Sequence, residues 1–140
     1  VLLGQAVLSA DGVVGRVAAT SWKHADVMLI VDGNSSVDVF VQRSRVRARI
    51  RGLGKDDGMG LEFEYLTRTA DIEPGDIVLA SGLGSIYPKG FLLGRVLKVE
   101  SRAFGLHQDA IVEPAVDFSS LETVSVVLSG VSKHEVAEAP

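Results

Sequence analysis

Apolar and polar residues alternate along most of this chain, in short runs. A period of two is the pattern of a β-strand with one buried face, and no long run after the first few positions shows the helical period of about 3.6. The predicted strands are Val13–Thr20, Ala25–Val31, Ser36–Gln42, Arg45–Arg51, Leu61–Leu66, Asp76–Ala80, Phe91–Glu100, Ala110–Pro114 and Thr123–Leu128. Turn-forming pairs such as Asp11-Gly12 separate them. Short strands at regular spacing predict an all-β fold, either a barrel or a sandwich.

An arginine-rich segment predicts how two of these strands pair. Its five arginines occupy odd positions and therefore share one face of a strand: Arg43, Arg45, Arg47, Arg49 and Arg51. In the next strand the acidic residues occupy even positions and the apolar residues odd ones. A hairpin matches both faces at once through the pairs Arg51–Glu62, Arg49–Glu64, Ile50–Phe63 and Ala48–Tyr65. This register predicts that the arginine face is mainly a solvated sheet face.

The arginine face has two further interpretations. In the first, Arg45, Arg47, Arg49 and Arg51 form a self-assembly surface between copies of the chain, and assembly then weakens as salt rises. In the second, the arginines bind nucleic acid. The second is disfavoured, because 14 basic and 18 acidic residues give the 140-residue chain a net charge of -4.

Composition narrows the class of protein further. Fifteen glycines are consistent with many turns, and zero cysteines exclude a disulfide framework, a thiol nucleophile and cysteine-based metal centres. The longest apolar run, Val27–Val31, is far shorter than the ~20 residues of a membrane-spanning helix. Because the chain begins at Val1 and not at Met, we expect it to be a fragment of a longer protein.

Catalytic chemistry has little support in the sequence. Ser81 lies in a glycine-rich turn, but in neither the Gly-Asp-Ser-Gly nor the Gly-x-Ser-x-Gly context of serine hydrolases. His24 and His107 stand near predicted strand ends, where an exposed or simply hydrogen-bonded imidazole is the ordinary case. A β-barrel serine hydrolase with an atypical pair, Ser81 with His24 or His107, therefore remains only an alternative.

Metal and cofactor sites are not predicted either. The glycine-rich loops lack the spacing of phosphate-binding motifs. Asp71, Glu73 and Asp76 flank the turn Pro74-Gly75, where we expect the carboxylates to face water. We therefore predict no metal and no cofactor.

One loop is a candidate for protein binding. Apolar side chains on a loop are typical of a partner-binding patch, and the candidate residues are Ile86, Tyr87, Pro88 and Phe91. Glycines in and after this loop predict a structural turn motif made of Gly82, Gly84, Gly90 and Gly94.

Three strings of the sequence, taken together, resemble one protein family. The run DIVLASGLGSIYPKG over residues 76–90, followed by Gly94-Arg95-Val96, is similar to the signature of the rod shape-determining protein MreC family. Upstream, Gly15-Arg16-Val17 and residues 31–37 resemble the first β segment of that family, and downstream residues 112–124 resemble its closing stretch. The resemblance extends from about Gly12 to Leu128 in the order of the family.

The resemblance implies a particular architecture. The periplasmic part of MreC proteins contains two small β-barrels, one of which resembles half of a chymotrypsin-like barrel without its catalytic residues. We therefore expect two β-barrel subdomains, over residues 1–66 and 67–128, and leave open a return of the chain to the first barrel near 115–128. Residues 129–140 are expected to form a flexible tail.

The resemblance also implies a function. MreC proteins are non-catalytic scaffolds of the bacterial elongasome on the periplasmic side of the inner membrane, held by a single-pass anchor that this sequence does not contain. They self-associate as homo-oligomers or filaments and bind and activate the elongation transpeptidase, penicillin-binding protein 2. MreD is a further partner, and MreB is reached through the N-terminal part. A structural adaptor module of an envelope complex is the remaining alternative.

Overall fold

The computed structural model describes residues 3–54, 60–82, 87–101, 105–119, 124–127 and 136–139, and these contain strands and turns but no helix. The strands are β1 (Ala6–Ser9), β2 (Gly12–Thr20), β3 (Ala25–Leu29), β4 (Ser36–Val41), β5 (Arg47–Gly52), β6 (Leu61–Glu64), β7 (Ile77–Ala80), β8 (Leu92–Ser101), β9 (Gln108–Pro114), β10 (Val124–Val127) and β11 (Val136–Ala139). None of the described segments is a helix that could cross a bilayer.

Six strands close into a barrel in the order β4-β5-β6-β9-β8-β7. Every second residue of these strands points inward, as the alternating pattern requires. The buried cluster in the barrel includes Val37, Val39, Val41, Ile50, Leu61, Phe63, Val78, Ala80, Leu93, Val96, Ala110 and Val112. The residues between them, including the β5 arginines, lie on the outer face.

The remaining strands form a five-stranded antiparallel sheet in the order β11-β10-β1-β2-β3. Its own small core contains Val7, Val14, Val17, Val116 and Val126. Val7 pairs with both Gly15 of β2 and Val126 of β10, so the chain returns from the barrel to this sheet.

The sheet packs directly against the barrel. Ala6, Val13, Ile30 and Val31 belong to the same buried cluster as the barrel interior. A Cβ added to Gly12 would lie 2.6 Å from the carbonyl oxygen of Leu92 in β8, so the two backbones meet closely at this point. The chain therefore folds around one continuous core with a smaller second one behind the sheet.

The all-β prediction is confirmed, and the predicted strands correspond to β2 to β10. The strands group differently from the expected halves of the chain, because β5 and β6 lie in the same closed barrel as β7 to β9, across the predicted boundary at residue 66. The second unit is a five-stranded sheet in the described residues, where a second barrel was expected. Val136–Ala139 pair with β10 as a strand, within the stretch 129–140 that the sequence predicts as a flexible tail.

The predicted hairpin register is confirmed at three of its four pairs. Arg49 pairs with Glu64, Ile50 with Phe63 and Arg51 with Glu62. The fourth pair, Ala48 with Tyr65, is wrong, since the ladder between β5 and β6 ends at the pair Arg49–Glu64. The cause lies at Tyr65, which has φ = 50° and turns the chain out of the ladder, so β6 ends at Glu64.

Candidate protein-interaction surfaces

The arginine face divides into two halves with different surroundings. At one end of β5, Arg49 Nε lies 3.4 Å from Asp38 Oδ1 on β4, and Arg51 forms an ion pair with Glu62 on β6. Both acidic residues lie on strands that flank β5, so the sheet itself supplies the counter-charges. We call Arg49 and Arg51 the paired half.

At the other end of β5 the basic residues gather around an aromatic ring. Phe40, Arg45, Arg47, Ser81 and Lys89 line a pocket of about 180 Å³, and we call this set the Phe40 patch. The guanidinium carbon of Arg45 lies 5.6 Å from the Phe40 ring centroid, and Lys89 Nζ lies 5.9 Å from it. Both distances fall within the range of a cation–π interaction.

Phe40 itself occupies an unusual position. Its neighbours Val39 and Val41 point into the barrel, so Phe40 points outward, yet it is only 7% exposed. Its cross-strand partners are Arg47 on β5 and Leu79 on β7. An apolar ring on the outer face of a barrel, covered by basic side chains, is a feature that the alternating pattern alone does not predict.

The turn between β4 and β5 positions Arg45. Arg45 has φ = 64°, a conformation that a non-glycine residue rarely adopts. Its N–H donates to the carbonyl of Val41 at 2.8 Å, and the N–H of Val41 donates to the carbonyl of Val46 at 2.9 Å. These two hydrogen bonds close the turn and place Arg45 above Phe40. Uncommon backbone conformations held in this way are frequent at functional sites.

Arg43 leaves the arginine face and anchors the same turn. Its Nε lies 2.8 Å from Asp76 Oδ1, and its Nη2 lies 2.8 Å from Asp71 Oδ1. Asp76 also accepts a hydrogen bond from the N–H of Glu73, at 2.9 Å, and is only 6% exposed. The hydrogen bonds from Arg43 hold the pKa of the Asp76 carboxyl below its usual value of 3.8. The expectation that these carboxylates face water is therefore wrong for Asp76.

The predicted partner-binding loop is more buried than the sequence suggested. Tyr87 is 6% exposed and belongs to the buried cluster of the barrel core. Its hydroxyl has no hydrogen-bond partner in the described structure, and burial raises the pKa of Tyr87 to about 12. Pro88 and Phe91 are half-buried, whereas Ile86 lies outside the described residues. Of the two interpretations of Tyr87, a side chain that faces a partner or one buried in the core, the structure agrees with burial.

Each described glycine in and after this loop is required for a different structural reason. Gly82 and Gly90 have φ of 82° and 95°, and the Gly90 N–H donates to the carbonyl of Ala80 at 2.8 Å. A Cβ on Gly82 would lie 3.0 Å from the Cβ of Lys89, so this glycine allows Lys89 to approach the end of β7. At Gly94, a Cβ would collide with the carbonyl of Glu113 on β9. Gly84 lies outside the described residues.

A second exposed surface lies around Tyr65, and no sequence pattern predicted it. Tyr65 is 82% exposed, and its ring meets that of His107 edge-on with centroids 6.0 Å apart. Leu106 beside it is also largely exposed. A pocket of about 470 Å³ runs from these rings along the charged outer face of β6. The positive φ of Tyr65 exposes its ring, and no sequence pattern predicts that conformation.

His24 and His107, the two histidines of the hydrolase alternative, contact Ser21 and Tyr65 respectively. The backbone N–H of His24 donates to Ser21 Oγ at 3.1 Å in the β2–β3 turn, while His107 packs on Tyr65. Ser81 follows β7, and its N–H donates to the carbonyl of Asp38 at 3.0 Å. Across the described ranges, no group of His, Asp or Glu residues could hold a metal ion.

Fold and surface together define a small all-β module with basic and aromatic contact surfaces. Residues 1–128 match the family model described as rod shape-determining protein MreC, barrel core. The chain therefore belongs to the MreC family. Members of this family are structural, cell shape-determining proteins and not enzymes, which overturns the serine hydrolase alternative.

Curated relatives agree with the family assignment. The cell shape-determining protein MreC of Listeria monocytogenes is 32% identical over 133 residues, covering 87% of this chain and 42% of the relative. The MreC protein of Escherichia coli is 36% identical over 97 residues, covering 69% of this chain and 26% of the relative. The chain thus spans less than half the length of these two relatives.

Solved structures share the fold. The crystal structure of MreC from Pseudomonas aeruginosa superposes with a TM-score of 0.86 at 32% identity, covering 91% of this chain and 81% of that one. A complex between penicillin-binding protein 2 and MreC from Helicobacter pylori contains a chain that matches with a TM-score of 0.63 at 21% identity, covering 77% of this chain and 65% of that one. The likeness to the second structure concerns the fold alone.

Proposed function

We propose that this chain is a non-catalytic periplasmic scaffold module that binds the elongation transpeptidase, penicillin-binding protein 2, and self-associates. The observation that carries this proposal is the family match over residues 1–128. In support, an MreC protein of the same fold occurs in a solved complex with penicillin-binding protein 2. MreD and MreB are further partners in this proposal, the latter through parts of the protein outside this chain, which also supply the single-pass membrane anchor.

Self-association draws support from a second comparison. A structure of the major periplasmic domain from the cell shape-determining filament MreC matches 99% of this chain with a TM-score of 0.72 at 18% identity. The same comparison supports a periplasmic location. A scaffold of this kind needs preformed contact surfaces and no perturbed catalytic groups.

The contact with the transpeptidase is proposed to lie around the loop that ends at Phe91. Pro88 and Phe91 are half-buried and retain exposed surface. Tyr87 supports them from the core, so its contribution is to position the loop. Ile86 belongs to the same proposed surface. The arginine face, with Arg45, Arg47, Arg49 and Arg51, is proposed as the surface for self-assembly.

Direct binding tests the proposal. Isothermal calorimetry between this chain and the soluble periplasmic part of the transpeptidase from the same organism should give saturable binding with a Kd in the micromolar range or tighter. Ala replacement of Phe91 should weaken it, with Leu97→Ala, at an exposed apolar residue of β8, as the control. Sedimentation of the chain alone, at low and high salt, measures self-association. Absence of saturable binding by a folded chain would contradict the transpeptidase proposal.

A further inference from the structure

The Phe40 patch carries three positive charges without a matching carboxylate. Arg45, Arg47 and Lys89 form no ion pair in the part of the chain that the structure covers, whereas Arg49 and Arg51 on the same strand face do. All three are exposed at their ends and converge on one pocket of about 180 Å³. Three like charges at such close range repel one another, so the arrangement lowers its free energy when an anion enters.

The shape and chemistry of the pocket favour a carboxylate. Guanidinium groups bind carboxylates through two parallel hydrogen bonds, and an ammonium group adds a third donor. The Phe40 ring beneath Arg45 and Lys89 displaces water from one side of both cations, which strengthens their interaction with an incoming anion. The turn hydrogen bonds at Val41 and the Arg43 anchor hold the pocket in place before anything binds.

We propose that the Phe40 patch binds an acidic segment of a protein partner, through an aspartate or glutamate side chain seated among Arg45, Arg47 and Lys89. This inference rests on the proposed function, since the partner is the periplasmic part of the transpeptidase. Lys89 follows Pro88 in the loop proposed above, so the ionic contact would lie beside the apolar one. A charged contact next to an apolar one fixes the register of the partner and speeds its encounter.

Two other occupants fit the observations less well. Two copies of the chain that meet symmetrically through this patch would place three cations against three cations, which is repulsive, so the self-assembly proposed above would have to set the arginine face against a different, acidic face of the next copy. A membrane surface attracts clustered basic residues by only about 1 kcal/mol each, and the net charge of -4 opposes approach to anionic lipid. An acidic protein segment meets neither obstacle.

Matched charge removal tests the inference. The patch variant Arg45→Gln/Arg47→Gln and the control variant Arg49→Gln/Arg51→Gln each remove two arginine charges, from opposite ends of the arginine face. Calorimetry with the transpeptidase domain should show at least a roughly tenfold rise in Kd for the patch variant and about twofold or less for the control. The Kd of the wild-type chain should rise with salt, and that dependence should flatten in the patch variant.

The possible outcomes separate the two proposals. If the wild-type chain does not bind, both the scaffold proposal and this site are overturned. If the wild-type chain binds and both variants bind equally well or equally poorly, the site alone is overturned. Two further measurements address the other occupants: sedimentation of the chain alone, and co-sedimentation with vesicles of equal parts phosphatidylglycerol and phosphatidylethanolamine. A patch variant that loses only self-association or only vesicle binding would reassign the site. Circular dichroism melting confirms that both variants are folded.

Discussion

The arginines at the two ends of strand β5 differ in whether they form ion pairs. The paired half has Asp38 and Glu62 on the flanking strands, while the Phe40 patch has an aromatic ring and a third cation where those carboxylates would be. The difference arises from the neighbours and not from the arginines. A run of like charges in a strand therefore says little about function until the residues across from each member are known.

The patch end also depends on supports that the paired half lacks. The loop that carries Lys89 is fixed by Tyr87 in the core, and the turn that carries Arg45 is tied down by Arg43. The paired half is held by the ladder itself, through four consecutive pairs between β5 and β6. Changes at the supports should therefore affect the patch end first.

Truncation of Tyr87 should have the largest effect. Tyr87→Ala removes a ring from the barrel core and should lower the free energy of unfolding by roughly 3–5 kcal/mol, as measured by urea denaturation. Tyr87→Phe is the matched control. Because it removes a buried hydroxyl that has no partner in the described structure, it should be neutral or slightly stabilising.

The two Tyr87 variants also show whether Tyr87 supports the loop from the core or contacts the partner directly. If Tyr87→Phe binds the transpeptidase as well as wild type does, the residue acts through the core. A variant that keeps its stability but loses binding would mean that the hydroxyl reaches the partner, against the buried position described above.

Removal of the Asp76 carboxylate should have the next largest effect. Asp76→Asn weakens the hydrogen bonds from Arg43 and should cost roughly 1–2 kcal/mol at neutral pH, a value reduced for the partial exposure of Arg43. The pKa of Asp76 is depressed in the folded state, so its contribution is fully present above the usual value of 3.8 and is lost as pH falls through the folded-state pKa.

Thermal melts across the acid range measure that contribution. The difference in Tm between wild type and Asp76→Asn should be constant near neutral pH and narrow as the pH drops below about 4. Glu73→Gln, on the same loop but more exposed, serves as the control and should show little change. A difference that widens toward acid would mean that the carboxylate does not stabilise the fold in its charged form.

Much of the fold followed from the sequence because its causes are local. The alternation of polar and apolar positions alone predicts Arg49 opposite Glu64 and Arg51 opposite Glu62. A shift of the strand register by one residue would have moved Phe63 out of the core. The same logic failed at Tyr65, where a positive φ breaks the alternation. It failed again at Arg43, which lies in the turn after β4 and so no longer shares the face of the other arginines.

The candidate site was less predictable because it is assembled from distant parts of the chain. Lys89 packs closely against Gly82 and places its Nζ 5.9 Å from the Phe40 ring, and neither Lys89 nor Phe40 carries a local sequence signal of that contact. The glycine- and proline-rich context of Tyr87 is compatible with both a surface patch and core burial, and the structure places the ring in the core. Whether a residue is buried in a closed barrel depends on which strands pair with each other. The residues next to it in the sequence do not reveal that pairing.

The smallest effect tests the comparison itself. If Arg51 is truly paired, Glu62→Gln and Arg51→Gln should each lower the free energy of unfolding by less than about 1 kcal/mol, and their coupling in a double-mutant cycle should be roughly 0.2–1 kcal/mol at low salt. High salt should reduce the coupling, because both side chains are partly exposed. A cycle between Arg45 and Glu62 supplies the reference, with no coupling expected across the two halves. Equal couplings in the two cycles would mean that the carboxylates act on the whole arginine face as a general field, and the division of β5 into a paired half and a patch would then have no energetic basis.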